Sequence, residues 1–288
     1  MRRRLGALVL ACLLAPIGLA RADTADHYAL LMVWMPGLCK LEPDRAECKE
    51  LTLRRYDGLN LAFMALQSVR PNSAPNTFCF TMLGDESLDQ SRQWCEMNEP
   101  RISKPLAEQL RTLMPVMQSC QDRGLWARYA SCTLYNANDY YTRAIKLAAA
   151  AAKTQMNLKI AAAIGETAKT SDLVAAFQAD FGEDKANAVD FICRKIEGRS
   201  HLFQVRITVT ARALTRGLAS EHLWKPMGAL RRSCPENFLV DAPPVPVAGG
   251  EAGKAPPPPP PGEPPVPDSM PVGPVDTEPL EPQGPVVR

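Results

Sequence analysis

The sequence contains very little histidine and no residue spacing that is typical of a metal centre. Three histidines occur in 288 residues, and they are scattered along the chain. No two cysteines have the Cys-x-x-Cys spacing of many zinc sites. No Ser-His-Asp order, phosphate-binding glycine loop or glycosidase carboxylate pair stands out. We therefore expect no metal site and no cofactor.

A hydrophobic stretch long enough to cross a membrane, about 18 residues, is absent after the beginning of the chain. Residues 2 to 4 are arginines, an apolar run covers residues 5 to 20, and Ala-Arg-Ala at residues 20 to 22 is typical of a cleavage site. This order predicts a secretory signal peptide over residues 1 to 22. We expect an exported protein, periplasmic or secreted, with no membrane insertion after cleavage near Asp23.

Cysteine, by contrast, is plentiful. Of the nine cysteines, Cys12 lies in the predicted signal peptide, which leaves an even set of eight. An even count in an exported chain indicates disulfides, although the count alone does not define the pairing.

The composition changes sharply at about Asp241. Residues 241 to 288 hold seventeen of the 27 prolines, almost no aromatics, and seven acidic against two basic residues. Such a segment buries too little apolar surface to fold, so we predict a disordered Pro-rich acidic tail. The folded domain then covers residues 23 to 240, with 27 basic and 24 acidic groups. This mild excess is a weak indication of a nucleic-acid partner.

Apolar periodicity and capping residues predict both strands and helices. Residues 28 to 34 form a continuous apolar run, typical of a buried strand, and residues 59 to 69 fit a strand or a helix. The other predictions are a short strand and turn over 51 to 58, helices over 105 to 117 and 120 to 132, a helix from Asn136 or Asn138 to Lys153, a helix over 173 to 181 capped by Thr170 or Ser171 and ended by Gly182, and strands over 189 to 193 and 202 to 209.

Residues 120 to 132, Cys-Gln-Asp-Arg-Gly-Leu-Trp-Ala-Arg-Tyr-Ala-Ser-Cys, have a cysteine at each end and Trp126 in the middle. Residue types alone favour a core helix held by disulfides. The stretch also resembles the second active-site motif of the ribonuclease T2 family of secreted endoribonucleases, His-Glu-Trp-x-Lys-His-Gly-Thr-Cys. Trp126 and Cys132 match it, and Arg128 replaces its lysine. The family's histidine, glutamate and catalytic histidine are replaced here by Gly124, Leu125 and Tyr129.

Other stretches extend the resemblance. Residues 34 to 39 match the family's Trp-x-Pro-x-x-Cys, and residues 51 to 53, Leu-Thr-Leu, match the beginning of its first active-site motif. Arg54 then takes the position of the other catalytic histidine. Residue types alone favour a solvated turn at this point.

The resemblance implies an α+β fold with a central, mostly antiparallel sheet packed with helices, and four disulfides. It implies the pairs Cys79–Cys132 and Cys95–Cys120. Cys39 and Cys48 are close enough in sequence to pair, and Cys193 with Cys234 is the fourth expected pair.

The family cleaves RNA by attack of the ribose 2′-hydroxyl on the adjacent phosphate, and two imidazoles transfer the protons. A guanidinium, with a pKa above about 12, is not a useful acid at neutral pH. A phenol, with a pKa near about 10, is a poor base. With Arg54 and Tyr129 at the two positions, we predict no meaningful ribonuclease turnover.

Several side chains could still contact RNA. Arginine suits phosphate, and aromatic rings can stack on bases. The alternative is that Trp126 belongs to the core and that the arginines are ordinary surface charges. The candidates for RNA or phosphate binding are Arg54, Arg55, Arg123, Trp126, Arg128 and Tyr129.

Three functional hypotheses follow. The first is an inactive homologue, monomeric, that binds RNA or a protein. The second is an active endoribonuclease that cleaves RNA through a 2′,3′-cyclic phosphate with unusual groups. The third is a structural role in which the Pro-rich tail docks an envelope protein.

Overall fold

The computed structural model describes residues 27–70, 76–225 and 233–244. The predicted signal peptide and residues 245 to 288 of the predicted tail lie outside this part, so both stay predictions. The strands are β1 (His27–Val33), β2 (Ala62–Val69), β3 (Thr167–Lys169), β4 (Val189–Ile196), β5 (Arg199–Thr210) and β6 (Asn237–Leu239). The helices are α1 (Met35–Leu41), α2 (Tyr56–Leu59), α3 (Asp85–Gln90), α4 (Lys104–Leu113), α5 (Gln121–Arg128), α6 (Ala137–Ala151), α7 (Gln155–Ala162), α8 (Thr170–Phe181) and α9 (Ala213–Arg216).

Within the described residues the six strands form one sheet. β1 lies between β2 and β5 and is antiparallel to both. β4 pairs with β5 in the antiparallel sense, and the short β6 runs parallel to β5 and antiparallel to β3. The expected class, an α+β fold with a mostly antiparallel sheet and packed helices, is confirmed.

β1 is buried along almost its whole length because it is apolar on both faces. β2 has β1 on one side, and α6 packs near it. The hydroxyl of Tyr140 on α6 accepts a hydrogen bond from Leu66 N (2.8 Å) and donates one to Leu66 O (3.0 Å). A side chain of α6 therefore forms hydrogen bonds with the backbone N–H and C=O of Leu66, which are not paired with β1.

Several predicted elements differ in detail. The ambiguous stretch is a strand, β2, but residues 51 to 53 form no strand. The chain there folds back so closely that a Cβ on Gly58 would overlap the carbonyl oxygen of Thr52. The predicted helix from 105 to 117 ends at Leu113 as α4, because Pro115 lacks the amide hydrogen that would continue it. A 3₁₀ helix, Pro115–Ser119, follows.

Two capping alternatives are resolved. Asn136 caps α6, where its side chain accepts a hydrogen bond from Asp139 N, while Asn138 accepts one from Ser103 N. Neither Thr170 nor Ser171 caps α8, since α8 already begins at Thr170.

The four disulfides join Cys39 with Cys48, Cys79 with Cys132, Cys95 with Cys120 and Cys193 with Cys234. These are the four expected pairs. Among the described residues, no helix has the length and apolarity needed to span a bilayer.

Candidate functional site

α5 is fixed at both ends. The disulfide Cys95–Cys120 holds the residue before it, and Cys79–Cys132 holds the 3₁₀ turn after it. The carbonyl of Arg128, the last residue of α5, accepts a hydrogen bond from Phe78 N at 3.1 Å. Side chains on α5 are therefore presented from a rigid support.

Gly124 lets a second segment approach the backbone of α5. A Cβ at this position would overlap Oδ1 of Asp89 and would lie 2.6 Å from Cδ1 of Trp94. Asp89 belongs to α3, and Trp94 begins the 3₁₀ helix Trp94–Glu96. The indole Nε1 of Trp94 donates to Asp89 Oδ1 at 2.9 Å. The space beside Gly124 is thus filled by a carboxylate and an indole.

The same carboxylate binds Arg128. Arg128 donates to Asp89 Oδ2 from Nε at 2.7 Å and also from Nη2. The Asp89 side chain is 3% exposed, whereas that of Arg128 is 36% exposed. Burial lowers the pKa of Arg128, but hydrogen bonds to Asp89 and Tyr129 and the nearby negative charge outweigh it, so this pKa is raised. Arg128 is therefore a permanently charged group with a built-in counter-ion.

Asp89 and Arg128 line a cleft together with three other charged side chains, Glu42, Arg45 and Arg92. Leu38, Met64 and Phe203 supply apolar surface. Three guanidinium groups face two carboxylates, so the lining has a small positive excess. The cleft is therefore less basic than a cluster of unpaired arginines would be.

Arg45 is held by several partners. It donates to Glu42 (3.0 Å) and to the fully buried Glu47 (2.6 Å), and its guanidinium lies 5.3 Å from the ring centre of Trp94. Arg92 also pairs with Glu42, at 3.2 Å, but its side chain is 63% exposed. Arg92 is thus the more accessible of the two.

All three histidines lie in the described part of the chain, and none lines this cleft. His27 stacks on Trp224 with ring centres 4.1 Å apart. The buried His201 contacts the carboxylate of Asp241 at 2.9 Å, and Nδ1 of His222 lies 2.9 Å from Gly217 O.

Solved structures share this architecture. The self-incompatibility-associated SF11-RNase of Nicotiana alata aligns with a TM-score of 0.52 at 14% identity, covering 75% of this chain and 98% of its own. A mutant of ribonuclease MC1, a bitter gourd seed protein, gives 0.52 at 17% identity, covering 74% and 99%. Japanese pear S3-RNase gives 0.51 at 16% identity, covering 74% and 98%. The chain has the ribonuclease T2 fold.

No protein-family model matches the sequence, and no curated protein matches it. At these identities the structural likeness therefore concerns the ribonuclease T2 fold alone. The prediction that Gly124 and Leu125 replace a histidine and a glutamate rests on the sequence resemblance. Leu125 is 4% exposed and belongs to the core, and Asp89 and Trp94 take up the space beside Gly124.

Only one of the four candidate arginines lines the cleft. Arg128 lines the cleft, but Arg54, Arg55 and Arg123 are not among its lining residues. Arg54 is exposed in the turn before α2.

The guanidinium groups of Arg55 and Arg123 have other partners. Arg55 forms a two-pronged ion pair with Asp57, at 2.9 and 2.7 Å. Arg123 donates to the carbonyls of Cys95 and Met97, both at 3.0 Å. Both side chains therefore support loops.

Trp126 packs inward. Its ring centre lies 5.6 Å from that of Tyr140 and 5.9 Å from that of Tyr141. This arrangement corresponds to the core alternative rather than to a stacking surface for bases. Tyr129 is half-buried, with its ring centre 5.8 Å from the Arg128 guanidinium, beside the cleft.

Asp122, in the first turn of α5, is 5% exposed. Burial raises its pKa to about 6, against the lowering effect of Arg123. Asp122 is not among the residues that line the cleft.

Sequence reasoning missed Asp89, Trp94, Arg45 and Arg92. One signal was available, because a glycine inside a helix often marks a close approach by another segment. The sequence did not identify that segment.

Proposed function

We propose that this protein binds single-stranded RNA in the cleft beside α5 and does not cleave it. The observation that carries the proposal is the charged lining, which consists of arginines and two carboxylates and contains no histidine. Proton transfer at neutral pH requires groups whose pKa lies close to neutral. Imidazole is such a group and guanidinium is not. Guanidinium groups do, however, match phosphate oxygens in pairs.

Two guanidinium groups are the best placed to meet a ligand. Arg92 and Arg128 are 63% and 36% exposed, so each can contact a phosphate from the solvent side. Trp94 is half-buried beside them. Since the lining carboxylates offset much of the charge, we expect moderate affinity that falls as salt is added.

Binding and cleavage are measured on one preparation of the oxidised protein with a labelled oligouridylate. The expected result is salt-sensitive binding without any product that ends in a cyclic phosphate. Arg92→Gln should weaken binding, and Arg128→Gln should weaken it less, because Asp89 already occupies Nε and Nη2 of Arg128. Arg111, an exposed arginine on α4 outside the cleft, gives the charge-matched control Arg111→Gln. Product formation at a rate proportional to enzyme, lost in Arg128→Gln, would instead support an active endoribonuclease.

A protein partner is a second candidate, because four large apolar side chains are exposed near the Cys79–Cys132 disulfide. They are Phe80 (74%), Met82 (64%), Leu83 (106%) and Leu134 (56%). Photo-crosslinking from position 83 should give a discrete adduct, and the same probe at the exposed Leu158 of α7 is the control. Equal adducts from both positions would argue against this candidate.

Export is part of the proposal, since four disulfides are typical of an oxidising compartment. The mature chain should begin near Asp23. Mass spectrometry of the protein from the periplasm or medium tests the cleavage site, and deletion of residues 245 to 288 tests whether the Pro-rich segment contributes to partner recovery.

A further inference from the structure

Asp89 is the more deeply buried of the two acidic side chains that line the cleft, and both of its oxygens are occupied within the protein. Oδ1 accepts from the Trp94 indole at 2.9 Å, and Oδ2 accepts from Arg128. The carboxylate is almost fully buried, at 3% exposure. It is held from one side by an indole and from the other by a guanidinium, so it cannot leave without breaking both interactions.

We propose that Asp89 determines which anions the cleft accepts, because it acts as the built-in counter-ion of Arg128. A phosphate can reach Arg128 fully only by taking the place that the carboxylate now holds. The proposal rests on RNA binding as proposed above and concerns the control of that same site.

The geometry gives the physical reason. Arg128 directs two of its nitrogens, Nε and Nη2, at a single oxygen of Asp89. This edge of the guanidinium group is therefore occupied, although it could otherwise bind a phosphate through two hydrogen bonds. An incoming phosphate also meets the negative charge of Asp89 in a poorly solvated position, where like charges repel more strongly than in water. Both effects weaken a single phosphate contact.

Glu42, the second acidic residue of the cleft, should hinder phosphate binding less than Asp89 does. Glu42 is 22% exposed, and its Oε1 lies 3.2 Å from Nη2 of the exposed Arg92. That ion pair can open toward solvent at little cost. A ligand should therefore meet Arg92 first, and a chain with several phosphates should be favoured over one phosphate, because it can use Arg92 while Arg128 stays paired.

The test replaces Asp89 by Asn, which keeps the size of the side chain and an acceptor for Trp94 but removes the charge. Glu86→Gln is the matched control, since Glu86 is an exposed carboxylate on the same helix that contacts Gln90. Binding of the labelled oligouridylate and of inorganic phosphate is measured over a range of salt concentrations, with the melting temperature recorded for each variant.

Asp89→Asn should bind the oligouridylate at least about tenfold more tightly, as expected when a charged hydrogen-bond competitor is removed. The slope of log affinity against log salt should steepen by about 0.7, the value for one further phosphate contact on a single strand. A purely structural role would not change this slope. The control should differ by less than about twofold, and Arg128→Gln added to Asp89→Asn should remove the gain.

The outcomes separate the two proposals. Binding by the natural chain with no gain in Asp89→Asn overturns the role of Asp89 and leaves RNA binding intact. Binding by Asp89→Asn alone overturns RNA binding by the natural chain and supports the role of Asp89. Absence of binding in both overturns both. If Asp89→Asn does not fold, Trp94→Phe, which removes one of the two groups holding the carboxylate, should still tighten binding, and no gain in that variant overturns the proposal.

Discussion

Residues 51 to 58 and residues 120 to 132 resemble the two active-site motifs of one family, yet they secure their arginines in different ways. In the first stretch, Arg55 pairs with Asp57, two positions along the chain. In the second, Arg128 pairs with Asp89, which is 39 positions away. Local sequence can supply the first pair, but only the meeting of α3 and α5 creates the second.

The difference also concerns what each stretch presents to solvent. The first stretch exposes Arg54 and buries Asp57. Burial raises the pKa of Asp57, while Arg55 opposes this. The second stretch presents Arg128 to a cleft and pairs it with a buried acid. The variants below test how far the two stretches depend on their covalent and ionic supports, in order of decreasing expected effect.

The disulfides differ in the length of chain that they close. Cys79–Cys132, which supports the second stretch, joins residues 53 apart, whereas Cys39–Cys48 joins residues 9 apart. The chain-entropy relation predicts that loss of the first costs about 4 kcal/mol and loss of the second about 2.5 kcal/mol. Urea unfolding of the two Cys→Ala double variants measures both values, and equal losses would contradict an entropic origin.

The stability of α5 should depend on pH through Asp122. Its pKa is raised from 3.8 to about 6 in the fold, so the native state binds more protons than the unfolded state between these values. The contribution of Asp122 to the free energy of unfolding is therefore fully present below about pH 4, and up to about 3 kcal/mol of it is lost as pH rises through 6. Asp122→Asn should flatten this dependence in urea titrations. A profile unchanged by the substitution would show that other groups cause it.

Each stretch contains one glycine at a close approach, Gly58 in the first and Gly124 in the second. A Cβ on Gly58 would lie 2.8 Å from the backbone carbonyl carbon of Thr52, whereas one on Gly124 would meet side-chain atoms. We expect Gly58→Ala to cost about 2 kcal/mol and Gly124→Ala somewhat less, because the helix preference of alanine offsets part of the overlap with Asp89 and Trp94. In a helix, alanine is otherwise preferred over glycine. A stabilised Gly124→Ala variant in thermal unfolding would therefore show that the packing beside Asp89 is loose.

The smallest effects concern the arginines of the first stretch. Arg55→Gln removes a two-pronged ion pair with a buried carboxylate and should cost about 1 kcal/mol. Arg54→Gln removes an exposed charge and should change the free energy of unfolding by less than about 0.5 kcal/mol. If Arg54→Gln proved more destabilising than Arg55→Gln in paired urea titrations, it would be wrong that Arg55 is the arginine that stabilises this stretch.

Features that depend on neighbours in sequence could be predicted well. The apolar run that became β1 follows from a local pattern, and Asn136, the cap of α6, was one of two residues that the local pattern offered. The break after Leu113 follows from Pro115, although the prediction placed the end of that helix later. The family resemblance, in turn, gave the fold class and implied two of the disulfides.

The candidate site was predictable only in part. Arg128 lines the cleft, but Trp126 packs against Tyr140 and Tyr141. The role of Asp89 could not be predicted from the sequence, because the residues around an acid in a short helix do not show whether its side chain is a buried counter-ion or a solvated charge.

By itself, the sequence determined the apolar strand and the cysteine content, since each depends on residue type and on spacing along the chain. The tertiary structure decided the character of the cleft. It brought Asp89 and Trp94 against the bare backbone at Gly124 and gave Arg128 a counter-ion from 39 residues away. Ion pairing depends on distance in space, and the packing of α3 on α5 sets that distance.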